Sequence, residues 1–143
     1  MSGFTDAQEQ AILNLFLRAD AWSLAGLFVG LSTTTPTEAA GNFTEPVGNG
    51  YARVSMTRNG TNWAVAAGAA PAIADNAVTI TFPAAAGGSW GTVTHFGLFS
   101  ASSAGTLYFW GLLATAKLIN DGDTASFAVG TLDAKLGDPG DTY

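Results

Sequence analysis

From Gly26 onward the chain sets out apolar residues in short runs broken by turn residues at close intervals, with no later helical repeat. Val78, Ile80 and Phe82 alternate with Thr79 and Thr81, the period of two expected when successive side chains point to opposite faces of a strand. Gly26–Ser32 is a continuous apolar run suited to a buried strand, and Thr33-Thr34-Thr35-Pro36 ends it. Thr92–Phe99 and Leu107–Leu113 follow the same logic, joined through Ser102-Ser103-Ala104-Gly105. Ala116–Ile119 leads into the tight turn Asn120-Asp121-Gly122-Asp123. Ala125, Phe127 and Val129 then alternate, as do Leu132, Ala134 and Leu136, with Gly130 between the two runs as a bulge or corner. Tyr51–Thr57 and Thr61–Ala66 flank Asn59-Gly60, whose tolerance of positive φ predicts a type I′ hairpin. About eight short strands at this spacing predict a mainly β fold, a small β-sandwich or barrel-like domain over residues 26–136.

Two segments break the β pattern. Residues 36–50 hold two prolines and three glycines, which predicts a long irregular loop. At the N-terminus, Ala11, Ile12, Leu15, Phe16 and Ala19 recur at helical spacing, and Leu13 and Leu17 widen the same face. The spacing predicts one α-helix over residues 6–19. Thr5-Asp6-Ala7-Gln8 reads as a capping box, and Asp6 and Glu9 suit the positive end of the helix dipole. Residues 137–143 read as a tail, and no repeat or internal boundary divides the chain, so a single domain is expected.

Composition narrows the function classes. Charged residues make up 11% of the chain, under half of the roughly 25% usual in soluble domains. Five Lys and Arg against 11 Asp and Glu give a net charge of −6, with no basic stretch to follow a phosphate backbone, so no nucleic-acid partner is expected. No cysteine is present, which removes disulfides, Cys-ligated zinc and a Cys nucleophile together. The most apolar run, Ala21–Leu31, is too short to span a bilayer, so no membrane partner is expected. The polar, acidic opening lacks the basic start of a signal peptide, which points to synthesis and retention in the cytoplasm.

Catalytic parts are scarce. His95 is the only histidine, and its place inside a strand suits a hydrogen-bonded scaffold residue better than a general base. One histidine without cysteine cannot furnish a common zinc site. Asp121-Gly122-Asp123 lacks the alternating acids and closing Glu of a calcium loop and reads as a turn. Gly87-Gly88 and Gly48-Asn49-Gly50 lack the lysine or following helix that phosphate binding needs. No cofactor, metal or small-molecule substrate is expected. Trp22, Trp63, Trp90 and Trp110 suit core or interface anchors better than a sugar-stacking surface.

Several stretches taken in order carry a resemblance. They are Leu27-Phe28-Val29-Gly30-Leu31-Ser32-Thr33-Thr34 with Pro36-Thr37, Glu45-Pro46 and Gly50-Tyr51-Ala52-Arg53-Val54. Next come Ile80-Thr81-Phe82-Pro83 and Trp90-Gly91-Thr92-Val93-Thr94-His95-Phe96-Gly97-Leu98-Phe99. Gly111-Leu112-Leu113, Lys117, Gly122-Asp123, Phe127 and Gly130-Thr131-Leu132 complete the set. In order and spacing the chain resembles a family of small virion proteins of tailed bacteriophages, labelled as tail fibre or head decoration proteins. The resemblance implies a structural role without enzymatic activity, and it makes His95 part of a scaffold motif.

A low-charge chain of this kind suits a subunit that buries surface against neighbours in a symmetric assembly. The leading expectation is a capsid decoration (cement) protein on the virion surface, a homotrimer whose partners are the major capsid protein and its own copies. The alternative is a tail fibre or tail-tip structural protein that contacts the host surface. A small hydrolase built on His95 is the third reading. Phe16, Phe43 and Trp22 are the candidate subunit or capsid contacts, with the helix and the 36–50 loop as the gripping segments.

Overall fold

A computed structural model describes residues 3–19, 21, 23–66 and 72–136. Trp22 and the expected tail, residues 137–143, lie outside the described residues. The fold is mainly β with one N-terminal helix, as the patterning indicates. In chain order the elements are β1 (Gly3–Phe4), α1 (Asp6–Arg18), β2 (Phe28–Ser32), β3 (Val54–Ser55), β4 (Trp63–Val65) and β5 (Ala72–Asn76). They continue with β6 (Ile80–Ala84), β7 (Gly91–Phe99), β8 (Leu107–Ile119), β9 (Thr124–Phe127) and β10 (Asp133–Leu136).

The strands form three open antiparallel sheets rather than a closed barrel. The largest has the order β1-β8-β7-β2-β3, a second β10-β5-β4, and a two-stranded ribbon pairs β6 with β9. The expected strands Leu107–Leu113 and Ala116–Ile119 are one continuous strand, β8. Its pairing with β7 jumps from Val93↔Lys117 to His95↔Leu112, so Leu113, Ala114, Thr115 and Ala116 lie opposite the single residue Thr94. That bulge explains why the sequence reads as two strands.

Alternation along the central strands separates two apolar clusters. Val29, Leu31, Val93, Phe96, Leu98 and Phe109 join Ile80 and Phe82 of the ribbon in the main core. Phe99, Leu107 and Trp110 form a second, smaller cluster, with Phe28 and Phe43 packed against it. Asn76 is a fully buried polar residue that sequence reasoning did not single out. Its Nδ2 donates to the carbonyls of Val78 and Ala128, and its Oδ1 accepts from the N–H groups of Thr131 and Leu132. With every polar position used, burial of this amide costs little, and it pins β5 to the turn before β10.

Two local expectations fail. The hairpin around Asn59-Gly60 does not form, because β3 pairs with β2 while β4 pairs with β5. Asn59 instead turns its Oδ1 onto the N–H groups of Thr61 and Asn62, and its carbonyl accepts from Asn62 and Trp63. Neither Asn59 nor Gly60 takes a positive φ, so the type I′ turn is replaced by an Asx-type turn. The capping box is also absent. The hydroxyl of Thr5 donates to the carbonyl of Leu107 at 3.1 Å, and its N–H bonds the carbonyl of Tyr108 at 3.0 Å. The residue that starts the helix is thus spent on docking it to β8.

Candidate interaction surfaces

The 36–50 loop has no regular structure but is closely fitted to the sheet. Gly30 and Gly97 sit side by side on β2 and β7. A Cβ on Gly97 would lie 2.5 Å from the Phe43 ring and 2.8 Å from Leu107. One on Gly30 would lie 2.9 Å from the Glu45 carboxylate. These two glycines open a notch in the sheet surface where loop side chains rest. Phe43 fills it half-buried, edge-on to Phe99 with ring centroids 4.9 Å apart.

Charge closes the same seam. Arg53 grips Glu45 in bidentate fashion, Nε to Oε1 at 2.8 Å and the terminal nitrogen to Oε2 at 2.7 Å. Its other terminal nitrogen donates to the carbonyls of Ala101 and Ala104, both at 2.8 Å. The guanidinium lies 3.4 Å from the centre of the Phe99 ring, and the side chain is only 5% exposed. The Tyr51 hydroxyl donates to Glu45 and accepts from the Leu31 N–H. Burial, with the Glu45 carboxylate close by, pushes the Tyr51 phenol above its ordinary range. Loop, sheet and the turn after β7 are therefore locked by a bidentate ion pair whose guanidinium is buried and whose carboxylate is partly exposed.

His95 lies on this sheet at 4% exposure. Its Nδ1 is 2.8 Å from the Thr94 hydroxyl, and its ring sits edge-on to Trp110 at 5.9 Å. Burial holds its pKa below the ordinary 6.5 of an imidazole, while a hydrogen bond to the Thr34 backbone opposes that shift. Among the described residues no carboxylate hydrogen-bonds this ring, and no three His, Asp or Glu side chains gather to hold a metal ion. Asp121 accepts from the N–H groups of Gly87 and Gly88, and Asp123 from that of Asn120, so both acids serve their turns. Trp110 on β8 and Trp90 just before β7 are both buried. Among the described residues no helix is long and apolar enough to cross a membrane.

The helix presents the opposite situation. At ~100° per residue, its apolar residues cover more than half of the circumference, too much for one sheet to bury. Gln8 is buried, and Ala11 and Ile12 are partly covered. Phe16 is 87% exposed, Leu17 72% and Leu13 58%. Their i, i+3, i+4 spacing gathers them into one stripe. Asp6 and Glu9 stand on the same side one and two turns before it, and both are exposed.

At the far end of β8 a cleft of ≈ 410 Å³ opens between that strand and β9. Leu31, Val93 and Ile119, all core residues, form part of its floor, with Leu113 and Phe127 on the walls and Lys117 on its lining. On this side β8 is an edge strand: β1 reaches only Phe109 and Trp110, and Leu112–Ile119 has no strand partner there among the described residues. Sequence reasoning had no signal for the cleft, because it depends on which strands end up at the edges.

Of the three side chains singled out as contacts, the structure exposes Phe16, seats Phe43 largely against its own sheet and leaves Trp22 outside the described residues. Phe16 and Phe43 are not brought into one patch.

No curated protein matches the chain. A family model does match, over residues 3–135, and its description is that of a phage fibre protein. The match agrees with the resemblance to tailed-phage virion proteins and favours the fibre label over the decoration label. This chain belongs to the podophage GP4 fiber I protein gp80 family.

Proposed function

We propose that the chain is a structural subunit of the phage fibre, acting by assembly with copies of itself and with neighbouring virion proteins rather than by catalysis. The observation that carries this reading is the outward stripe of Leu13, Phe16 and Leu17, an apolar patch that water alone would leave costly. The burial of His95, with no acid clustered beside it among the described residues, supports a role without chemistry. The family description supports the fibre over the head shell as the site of assembly.

Cryo-electron microscopy of virions carrying a gold-labelled, C-terminally tagged copy tests this. Label along the fibres is the expected result. Label confined to the head shell would overturn the fibre reading and restore the decoration reading.

A further inference from the structure

We infer that copies of this chain join head to tail, the outer stripe of α1 on one copy seating in the β8–β9 cleft of the next. The inference rests on the self-assembly proposed above and names the two surfaces that meet.

The two surfaces are complementary and separate. The stripe is convex and apolar, and the cleft is concave, with half-buried Leu113, Ala125 and Phe127 lining it beside the buried Leu31, Val93 and Ile119. α1 is tied to the start of β8 through Thr5, whereas the cleft lies along Leu113–Ile119 at the other end. On the paired strand β7 the span from Leu98 to Val93 is five residues, roughly 17 Å, and the exposure of Phe16 shows that the helix of the same copy does not fill its own cleft.

Charge favours the same pairing. Lys117 is the one cation on the cleft lining, and no acid pairs with it among the described residues. The helix offers Asp6 and Glu9 beside its apolar stripe, and in a chain with five Lys and Arg against 11 acids such a match is scarce. Two helices packed stripe to stripe in parallel would instead bring acids near acids.

Area points the same way. Three side chains of this size and exposure present on the order of 400 Å², about half of the ~800 Å² per partner in a stable interface. Stripe-on-stripe packing gives each copy one such contact and leaves its cleft empty. Head-to-tail packing gives every copy two contacts, one through its stripe and one through its cleft, and closes into a ring or extends as a filament.

The chain has no cysteine, so single cysteines report the contact without background. Phe16→Cys and Ser126→Cys variants carrying different tags would be mixed, allowed to exchange subunits and oxidised mildly. The expected product is a mixed disulfide between the two variants, reduced several-fold when Lys117→Glu is added and regained when Glu9→Lys is added to the other partner. A disulfide between two Phe16→Cys copies, in place of the mixed one, would overturn the inference in favour of helix-to-helix packing. Oligomers that form without any mixed disulfide would overturn it while leaving self-assembly intact. A mass of one copy at all concentrations would overturn both, and fibre labelling of the virion reads the fibre assignment independently.

Discussion

The 36–50 loop and helix α1 both carry exposed-looking aromatic residues, yet the fold treats them in opposite ways. The loop turns Phe43 inward, where the missing side chains of Gly30 and Gly97 leave room for it. Arg53 and Glu45 then close the seam. The helix turns Phe16 outward, with little of the described residues over it. An irregular segment is thus fixed by the sheet below it, while the regular one leaves an apolar surface uncovered. Secondary structure is a poor guide to which segment grips a neighbour; the presence or absence of a fitted seat decides.

The sharpest way to break this contrast is to remove the clasp. Arg53→Ala leaves the partly exposed Glu45 carboxylate with the Tyr51 hydroxyl and takes the donor from the Ala101 and Ala104 carbonyls, and the expected cost is about 2–4 kcal/mol, read as a lower urea midpoint. An unchanged midpoint would mean that the loop is not held by this pair. Gly97→Ala should cost about 1–3 kcal/mol through overpacking against Phe43. Adding Phe43→Ala should recover part of that loss in a double-mutant cycle, and strict additivity would show that the notch is not where the ring sits.

A smaller effect is expected from pH. Because burial lowers the folded pKa of His95, the unfolded chain takes up the proton first as pH falls. The stability this gives is fully present above an unfolded pKa of about 6.5 and is lost as pH drops towards the folded value. His95→Gln should flatten that part of the stability-against-pH curve, while an unaltered slope would assign it to other groups.

The helix side should respond least. Phe16→Asp looks severe if Phe16 faces the chain's own core, as its helical spacing suggests. At 87% exposure it should instead change the stability of a separated copy by no more than about 0.5 kcal/mol. Urea unfolding at high dilution measures this, and a loss of several kcal/mol would put Phe16 back in the core.

These cases also show what was legible in the chain. Helical spacing located α1 to within a residue of its observed end, and Leu13 and Leu17, which widen that face in the sequence, stand exposed in the fold. Period-two alternation located β6, β7 and β9 in the same way. Asn59-Gly60 misled because a two-residue signal is weaker than the strands that compete for its flanks: β2 claims β3, and β5 claims β4. Thr5 misled because its hydroxyl found a carbonyl on β8 in place of its own helix. The notch, the clasp and the cleft all join residues distant in sequence, Gly97 with Phe43 and Arg53 with Ala101, so only the folded chain reveals them. The function followed the same division, since motif order indicated a tailed-phage virion protein of tail fibre or head decoration type while the preference for fibre came from the family match.

The central claim is that the outward stripe of α1 serves assembly and not folding. Light scattering on size-separated protein tests it most directly, comparing the native chain with a variant carrying Leu13→Ser, Phe16→Ser and Leu17→Ser together. The account predicts that the native chain elutes as a multiple of 14.5 kDa, three copies being the expected number, and that the variant elutes as a folded single copy. The same mass for both proteins would contradict it.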